Sequence, residues 1–207
     1  MSHPARPDPP RADGVGDAAK PFAWREVRWI EAGAGSDGAS ALHEALQIAG
    51  GPAPGADLRR WLTQMFARAD TSDATILEFA LELEQLGAAF YPEAERLGAS
   101  RVVRPIARLL ASQEQAHVGQ LFDLLGRPSD SRLPQQGFSF RWTGARGFVS
   151  IAVALEVLSA ATYEVARSFL VQPEARLVAR RLEILEAHHE QLVARLAEVE
   201  RDPGSSA

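Results

Sequence analysis

From Thr71 onward, apolar residues recur with the spacing of α-helices that bury one face. The pattern predicts four long helices, over Ser72–Leu97, Arg101–Leu125, Gly147–Val171 and Pro173–Arg201. Only a few residues join the first helix to the second, and the third helix to the fourth. Because short links connect antiparallel neighbours, we expect two helical hairpins.

The segment between the second and third predicted helices, residues 126–146, differs from the two short links. It contains Pro128 and Pro134, which do not suit a helix interior. A connection of about 20 residues is long for a compact domain. It is the length that a chain needs to cross from one end of a helical bundle to the other. We therefore predict an all-α fold for residues 71–202, a four-helix bundle in which a long crossover joins two hairpins.

The N-terminal third of the chain has a weaker pattern. Residues 1–20 are rich in Pro, Gly, Asp and Ala, which predicts a disordered tail. This stretch contains no apolar run, so we do not expect a secretory signal. Residues 21–70 are predicted to form an N-terminal extension with short helices. Candidates are Ala39–Ala49 and Asp57–Ala69, the second opened by an Asp cap.

One glutamate of the first long helix lies on the wrong face. On a helical wheel, Glu78 and Glu82 share an arc that should face water. Glu84 instead lies between Leu81 and Ala88, inside the apolar sector. Because an unpaired carboxylate is costly to bury, Glu84 is predicted to need a cation.

The other three long helices repeat this anomaly. Glu114 and His117 point into the apolar sector of the second helix, Glu156 into that of the third, and Glu186 with His189 into that of the fourth. A spacing of three places a Glu and a His side by side, where they can offer an oxygen and a nitrogen to one metal. Taken singly, an inward Glu is more often part of a local salt bridge, and one Glu-x-x-His match is weak.

An internal repeat makes the inward-facing Glu and His residues stronger evidence for a metal site together than any one of them alone. Four pairs of residues lie 72 positions apart: Glu84 and Glu156, Tyr91 and Tyr163, Glu114 and Glu186, and His117 and His189. The chain thus contains two similar hairpins, each with one Glu followed by a Glu-x-x-His. The offset also selects His189 over its neighbour His188, which is expected at the rim. Pairing the hairpins predicts that four Glu and two His meet at one point in the core.

These six side chains form the ligand set of carboxylate-bridged dinuclear iron or manganese sites. Four carboxylates balance the charge of two divalent cations, and oxygen and imidazole ligands suit both metals. From their positions, Glu114 and Glu186 are expected to bridge two Fe or Mn ions, while the pattern leaves open which terminal residues share a metal. The ends of the site are expected to be completed by Glu84, His117, Glu156 and His189.

Two tyrosines accompany the terminal glutamates. Tyr91 and Tyr163 each follow a glutamate, Glu84 or Glu156, by seven residues, which is two turns along the same helix face. They can donate hydrogen bonds to a ligand carboxylate. They can equally be core aromatics whose hydroxyl groups bond elsewhere. The sequence leaves both interpretations open.

Composition narrows the classes of function. The chain has no cysteine, which excludes disulfides, thiolate nucleophiles, iron–sulfur clusters and Cys-ligated zinc. A net charge of −5 argues against nucleic acid as a partner. The most apolar run, Gly147–Ala161, is short for a membrane span and contains Glu156, so no membrane partner is expected. We expect a cytoplasmic protein, and a homo-oligomer is compatible with the sequence.

Several segments resemble the ferritin-like domain family that includes plant desiccation-related proteins and bacterial relatives. Ile76–Tyr91 looks like the first helix of that family and Ala107–Leu121 like its second. Pro134–Phe140 and Ala154–Tyr163 are similar to its crossover and third helix. The resemblance covers about residues 73–196 and implies a ferritin-like bundle that binds metal.

The resemblance does not fix a reaction. One reading is a redox-active dimetal protein that uses O₂ or peroxide, for iron oxidation or peroxide scavenging. A second is a non-catalytic stress-related protein whose metal staples the bundle, and a third is a di-iron oxygenase acting on an organic substrate. Family members often carry a further acid where Gly87 stands, so any role of that acid is missing here.

Overall fold

A computed structural model describes residues 29–32, 57–68, 71–97, 99–127, 139–142 and 144–201. The predicted tail and the predicted helix Ala39–Ala49 lie outside these ranges. Within them the chain forms two short strands and six helices. The strands are β1 (Trp29–Ala32) and β2 (Ser139–Trp142), and the helices are α1 (Leu58–Phe66), α2 (Asp73–Phe90), α3 (Glu93–Arg96), α4 (Val103–Leu124), α5 (Gly144–Phe169) and α6 (Pro173–Arg201).

The first long helix is shorter than predicted. The sequence pattern extended it to Leu97, whereas α2 ends at Phe90 and the single turn α3 follows. Pro92 lies at the break, and a proline has no N–H with which to continue the helical hydrogen bonds. Helix α5 begins three residues earlier than predicted, at Gly144, and ends at Phe169. The other long helices agree with prediction to within the usual uncertainty of helix ends.

Side-chain caps fix where two of the helices begin. Asp57 accepts a hydrogen bond from the backbone N–H of Arg60 at 3.2 Å, which confirms the predicted cap of α1. Ser72 accepts one from the N–H of Thr75 at 3.2 Å, at the start of α2. These caps satisfy N–H groups that the helix itself leaves unpaired.

Contacts at the helix ends establish the course of the bundle. At one end, Asp73 at the start of α2 accepts hydrogen bonds from the backbone of Val171 and Gln172, between α5 and α6. At the other end, Ser100 before α4 donates to Glu200, and Arg146 near the start of α5 donates to the carbonyl of Glu200. Helices α4 and α5 therefore begin at the same end, so the chain between them crosses the length of the bundle. This confirms the predicted two hairpins and crossover.

The sequence did not predict the two strands. They pair in parallel, with Trp29 opposite Ser139 and Ala32 opposite Trp142. The pairing attaches part of the N-terminal extension to the crossover. Phe140 and Trp142 bring their rings within 5.2 Å and 5.6 Å of the ring of Phe90, at the end of α2. The strands are thereby fixed to the bundle.

Helix α5 is the most apolar element. By length and composition alone it could cross a membrane. Its apolar stretch is longer than the apolar run recognised in the sequence. In the structure 61% of this stretch is buried, and the same helix carries the buried acid Glu156. A core helix of a bundle has these properties without any membrane.

Candidate metal centre

The bundle interior brings together all six residues that the sequence singled out. Each is buried, with between 0% and 3% of its surface exposed: Glu84, Glu114, His117, Glu156, Glu186 and His189. Charged side chains are almost never buried to this degree unless they are paired or bind an ion. Their convergence is an observation of the structure, whereas their role as metal ligands stays a prediction.

The six side chains form two overlapping clusters. In the first cluster, ligand atoms of Glu84, Glu114, His117 and Glu186 all lie within 4.8 Å of one another. The second cluster satisfies the same limit with Glu114, Glu156, Glu186 and His189. Both clusters share Glu114 and Glu186, the two acids that were expected to bridge.

Short contacts define the terminal residues of each cluster. Nδ1 of His117 lies 3.2 Å from Glu84 and 2.8 Å from Glu186. Nδ1 of His189 lies 3.1 Å from Glu114, and 3.5 Å from both Glu156 and Glu186. Glu84 therefore lies in the same cluster as His117, and Glu156 in the same cluster as His189.

Many of these polar atoms have no hydrogen-bond partner. Both carboxylate oxygens of Glu186 are buried and unpartnered, as are one oxygen of Glu114, one of Glu156 and both ring nitrogens of His189. Glu186 is close to His117, but the contact is not aligned as a hydrogen bond. Buried polar atoms are rarely left unpaired. A pair of cations between the carboxylates would satisfy these oxygens and Nδ1 of His189, so the donor set fits metal.

The electrostatics of the metal-free cluster show what a cation would replace. Burial raises the pKa of Glu114 well above its usual range, and the neighbouring acids add to the shift. Burial also raises the pKa of Glu156, to about 8, although His189 opposes the rise. Both shifts favour the protonated acids, because burial and the neighbouring carboxylates penalise a further negative charge in the site.

The histidines shift in the opposite sense. Burial disfavours the charged imidazolium, but contacts with Glu186 and Glu84 outweigh it and raise the pKa of His117 to about 9. In the same way Glu156 and Glu186 raise the pKa of His189 to about 10. Burial opposes ionisation of Glu186, yet both histidines lower its pKa to about 2. The raised pKa values favour protonated imidazoles, whose positive charge offsets part of the negative charge of the glutamates.

The two tyrosines connect the hairpins. Tyr91, directly after α2, donates a hydrogen bond to Glu156 of α5, and Tyr163 of α5 donates to Glu84 of α2 at 2.6 Å. Each tyrosine therefore donates a hydrogen bond to the glutamate of the opposite hairpin. The sequence did not predict this exchange between hairpins. Burial raises the pKa of both hydroxyl groups well above the usual value, so both remain protonated donors.

His188 is next to His189 in the sequence but is exposed, as expected for a residue at the rim of the site.

Gly87 lies against Glu114 in the structure, although the sequence pattern predicted no role for this glycine. The signal that could have revealed it is a glycine in the middle of a helix, where glycine is unfavourable.

Comparison with known proteins identifies the fold family. A family model described as a ferritin-like domain matches residues 72–198. The match runs from the start of α2 into the last turn of α6 and contains all six clustered residues. It confirms the predicted ferritin-like domain. No curated protein and no solved structure matched the chain.

Proposed function

The chain belongs to the ferritin-like domain family, and we propose that its two clusters hold a dinuclear iron or manganese centre that is redox-active toward O₂ or peroxide. The observation that carries this proposal is the sharing of Glu114 and Glu186 by two four-residue clusters. One cluster would suit a single ion, whereas two clusters with two common carboxylates suit two adjacent ions. Two such ions, when bound, would supply the electrons that reduce O₂ or peroxide.

The residues of the chain have distinct tasks in this proposal. Glu114 and Glu186, which belong to both clusters, would be ligands common to the two ions. Glu84 with His117 would complete the ligands of one ion, and the corresponding acid and histidine of the second hairpin those of the other. The hydroxyl of Tyr163 holds one oxygen of Glu84, which leaves the second oxygen for the metal.

Burial favours a small oxidant over a bulky organic substrate. The six residues are at most 3% exposed, so a bulky organic molecule could reach them only if the surrounding helices moved. This favours iron oxidation or peroxide scavenging. It disfavours an oxygenase that must bind an organic molecule beside the metal.

A staged oxidation experiment tests the proposal. Purified protein is loaded with Fe(II) without oxygen, then mixed with O₂ or peroxide while ultraviolet and visible absorbance is followed. We expect a fast oxidation phase whose amplitude corresponds to two Fe(II) per chain. The phase should be lost in Glu114→Ala, because that acid belongs to both clusters.

The control is Glu198→Ala, which removes an exposed acid of α6 outside the clusters. It should leave the fast phase unchanged. Bound metal without faster oxidation than in free solution would contradict the redox function and favour a structural metal that staples the bundle. Equal loss in both variants would contradict the assignment of Glu114.

A further inference from the structure

Gly87 is an anomaly of the long helix α2. Glycine in a helix interior is less favourable than alanine because it loses more backbone freedom on folding. Gly87 is buried and its backbone is helical, so no unusual backbone angle calls for glycine. Some other feature of this position must require the absence of a side chain.

The requirement comes from Glu114 on the neighbouring helix α4. A β-carbon at residue 87 would lie 3.0 Å from Oε2 of Glu114, 3.1 Å from its Cγ and 3.2 Å from its Cδ. Atoms pack favourably at about 3.5–4.0 Å, so any side chain at this position would press on the carboxylate. The space next to Gly87 is thus occupied by the carboxylate of Glu114.

Glu114 has little freedom to move away. Its Oε1 lies 3.1 Å from Nδ1 of His189, and its Oε2, the oxygen next to Gly87, lies 3.9 Å from Nδ1 of His117. The side chain is 3% exposed, so it cannot turn into solvent without repacking the core. The carboxylate is therefore held between the backbone of α2 and the two imidazoles.

We propose that Gly87 is a positioning residue, whose missing side chain lets Glu114 lie where both four-residue clusters share it. The metal-positioning role rests on the proposed function, whereas the steric contact does not.

The experiment is a double-mutant cycle on the metal-free protein, combined with metal titration. The variants are Gly87→Ala, Glu114→Ala and both together. Gly119→Ala on α4 is the matched control, since a β-carbon there meets nothing within 4 Å. Thermal unfolding measures the steric contact, because coupled residues show non-additive changes. Titration with Co(II), followed by its visible absorbance, measures the position of the ligands.

We expect Gly119→Ala to raise the Tm by roughly 2–4 °C, the gain from replacing a helical glycine. Gly87→Ala alone should not raise the Tm, because its methyl group meets the carboxylate of Glu114. In the Glu114→Ala background the carboxylate is gone, so Gly87→Ala should raise the Tm by the same amount, roughly 2–4 °C. Gly87→Ala should also bind Co(II) roughly tenfold or more weakly, with a changed spectrum, whereas Gly119→Ala should match wild type.

An equal rise in Tm from Gly87→Ala in both backgrounds would overturn the steric contact. If Gly87→Ala fails to fold alone but folds together with Glu114→Ala, the contact is supported; failure in both backgrounds would overturn it. Unchanged Co(II) affinity and spectrum in Gly87→Ala would overturn the positioning role. If wild-type protein bound no Co(II), both the proposed function and the positioning role of Gly87 would be wrong. The thermal double-mutant cycle would still show whether Gly87 and Glu114 are in steric contact.

Discussion

At the scale of single residues, the hydroxyl groups of Tyr91 and Tyr163 hold the terminal glutamates from across the bundle. Tyr91→Phe and Tyr163→Phe keep the ring but remove the hydrogen bond to Glu156 or Glu84. We expect each variant to weaken metal binding by about 10–100-fold, as loss of a ligand's supporting hydrogen bond does. Mn(II) titration measures the effect.

The matched control for the tyrosines is Ser112→Ala, which removes an exposed hydroxyl of α4. Its affinity should equal that of wild type. Because the two tyrosines occupy repeated positions, their effects should be similar in size. Wild-type affinity in both phenylalanine variants would mean that the tyrosines only fill the core.

The cluster should also give the metal-free protein a distinct pH dependence. His117, His189 and Glu156 have pKa values of about 9, 10 and 8 in the fold, against 6.5 for histidine and 4.5 for glutamate in model compounds. All three are raised, so their contribution to stability is present at low pH and is lost as pH rises through the folded values. The Tm of metal-free protein should fall between about pH 6.5 and 10.

Metal should reverse this dependence. An ion must displace the protons on the same three groups, so its affinity rises with pH. The difference in Tm between Mn(II)-loaded and metal-free protein should therefore grow from pH 6.5 to 8, measured by differential scanning fluorimetry. A difference that shrinks with rising pH would contradict the assignment of these groups as ligands.

At the scale of elements, Asp73 ties the start of α2 to the link between α5 and α6. Its carboxylate accepts hydrogen bonds from the N–H of Val171 at 2.9 Å and of Gln172 at 2.8 Å. Asp73→Ala should lower the free energy of unfolding by about 1–2 kcal/mol, the usual cost of losing a side chain that accepts backbone N–H groups at a helix end. Urea denaturation of the metal-free protein measures this.

Asp123→Ala is the control for Asp73, because it removes an exposed acid of α4. It should change the free energy of unfolding by no more than about 0.5 kcal/mol. Both variants should bind as much metal as wild type, since neither residue belongs to a cluster. If Asp73→Ala were as stable as wild type, the hydrogen bonds of Asp73 would make no contribution to the free energy of unfolding.

The sequence predicted the helices and the convergence of six residues because both follow from repeated local patterns. Helical periodicity identified the buried face of each helix, and the 72-residue offset chose Glu84 over Glu82 and His189 over His188. A repeated motif fixes register without any knowledge of contacts. The prediction wrongly continued the first helix through Pro92, although proline ends helical hydrogen bonding.

Other features depend on contacts between distant parts of the chain. The strands β1 and β2 are four residues each and pair across more than a hundred positions, so no local pattern predicts them. The crossed bonds of the tyrosines depend on how the hairpins face each other. The contact of Gly87 with Glu114 depends on the distance between two helix backbones, which the sequence does not contain.

At the scale of the whole molecule, the metal centre is expected to hold the two hairpins together. Each cluster draws residues from both hairpins, so an ion bound in it favours the folded state over the unfolded chain. Each ion present at 100 times its Kd should add roughly 2.7 kcal/mol to the free energy of unfolding. Treatment with a chelator should therefore lower the Tm, and Mn(II) or Fe(II) without oxygen should restore it.

A Tm that changes neither with the chelator nor with added metal would contradict the stabilising role of the metal. Glu114→Ala provides the internal comparison, because its Tm should respond little to either treatment. If its Tm responded as strongly as that of wild type, the stabilising ions would be bound elsewhere.

The central claim is that four glutamates and two histidines hold two metal ions, and metal content per chain tests it most directly. Wild type, His188→Ala and His189→Ala are loaded with Fe(II) or Mn(II) without oxygen, desalted and analysed for metal. The histidines are neighbours, but only His189 is buried in a cluster. We predict two ions per chain in wild type and His188→Ala, and fewer in His189→Ala. Wild-type protein that retains no metal after loading would contradict the account.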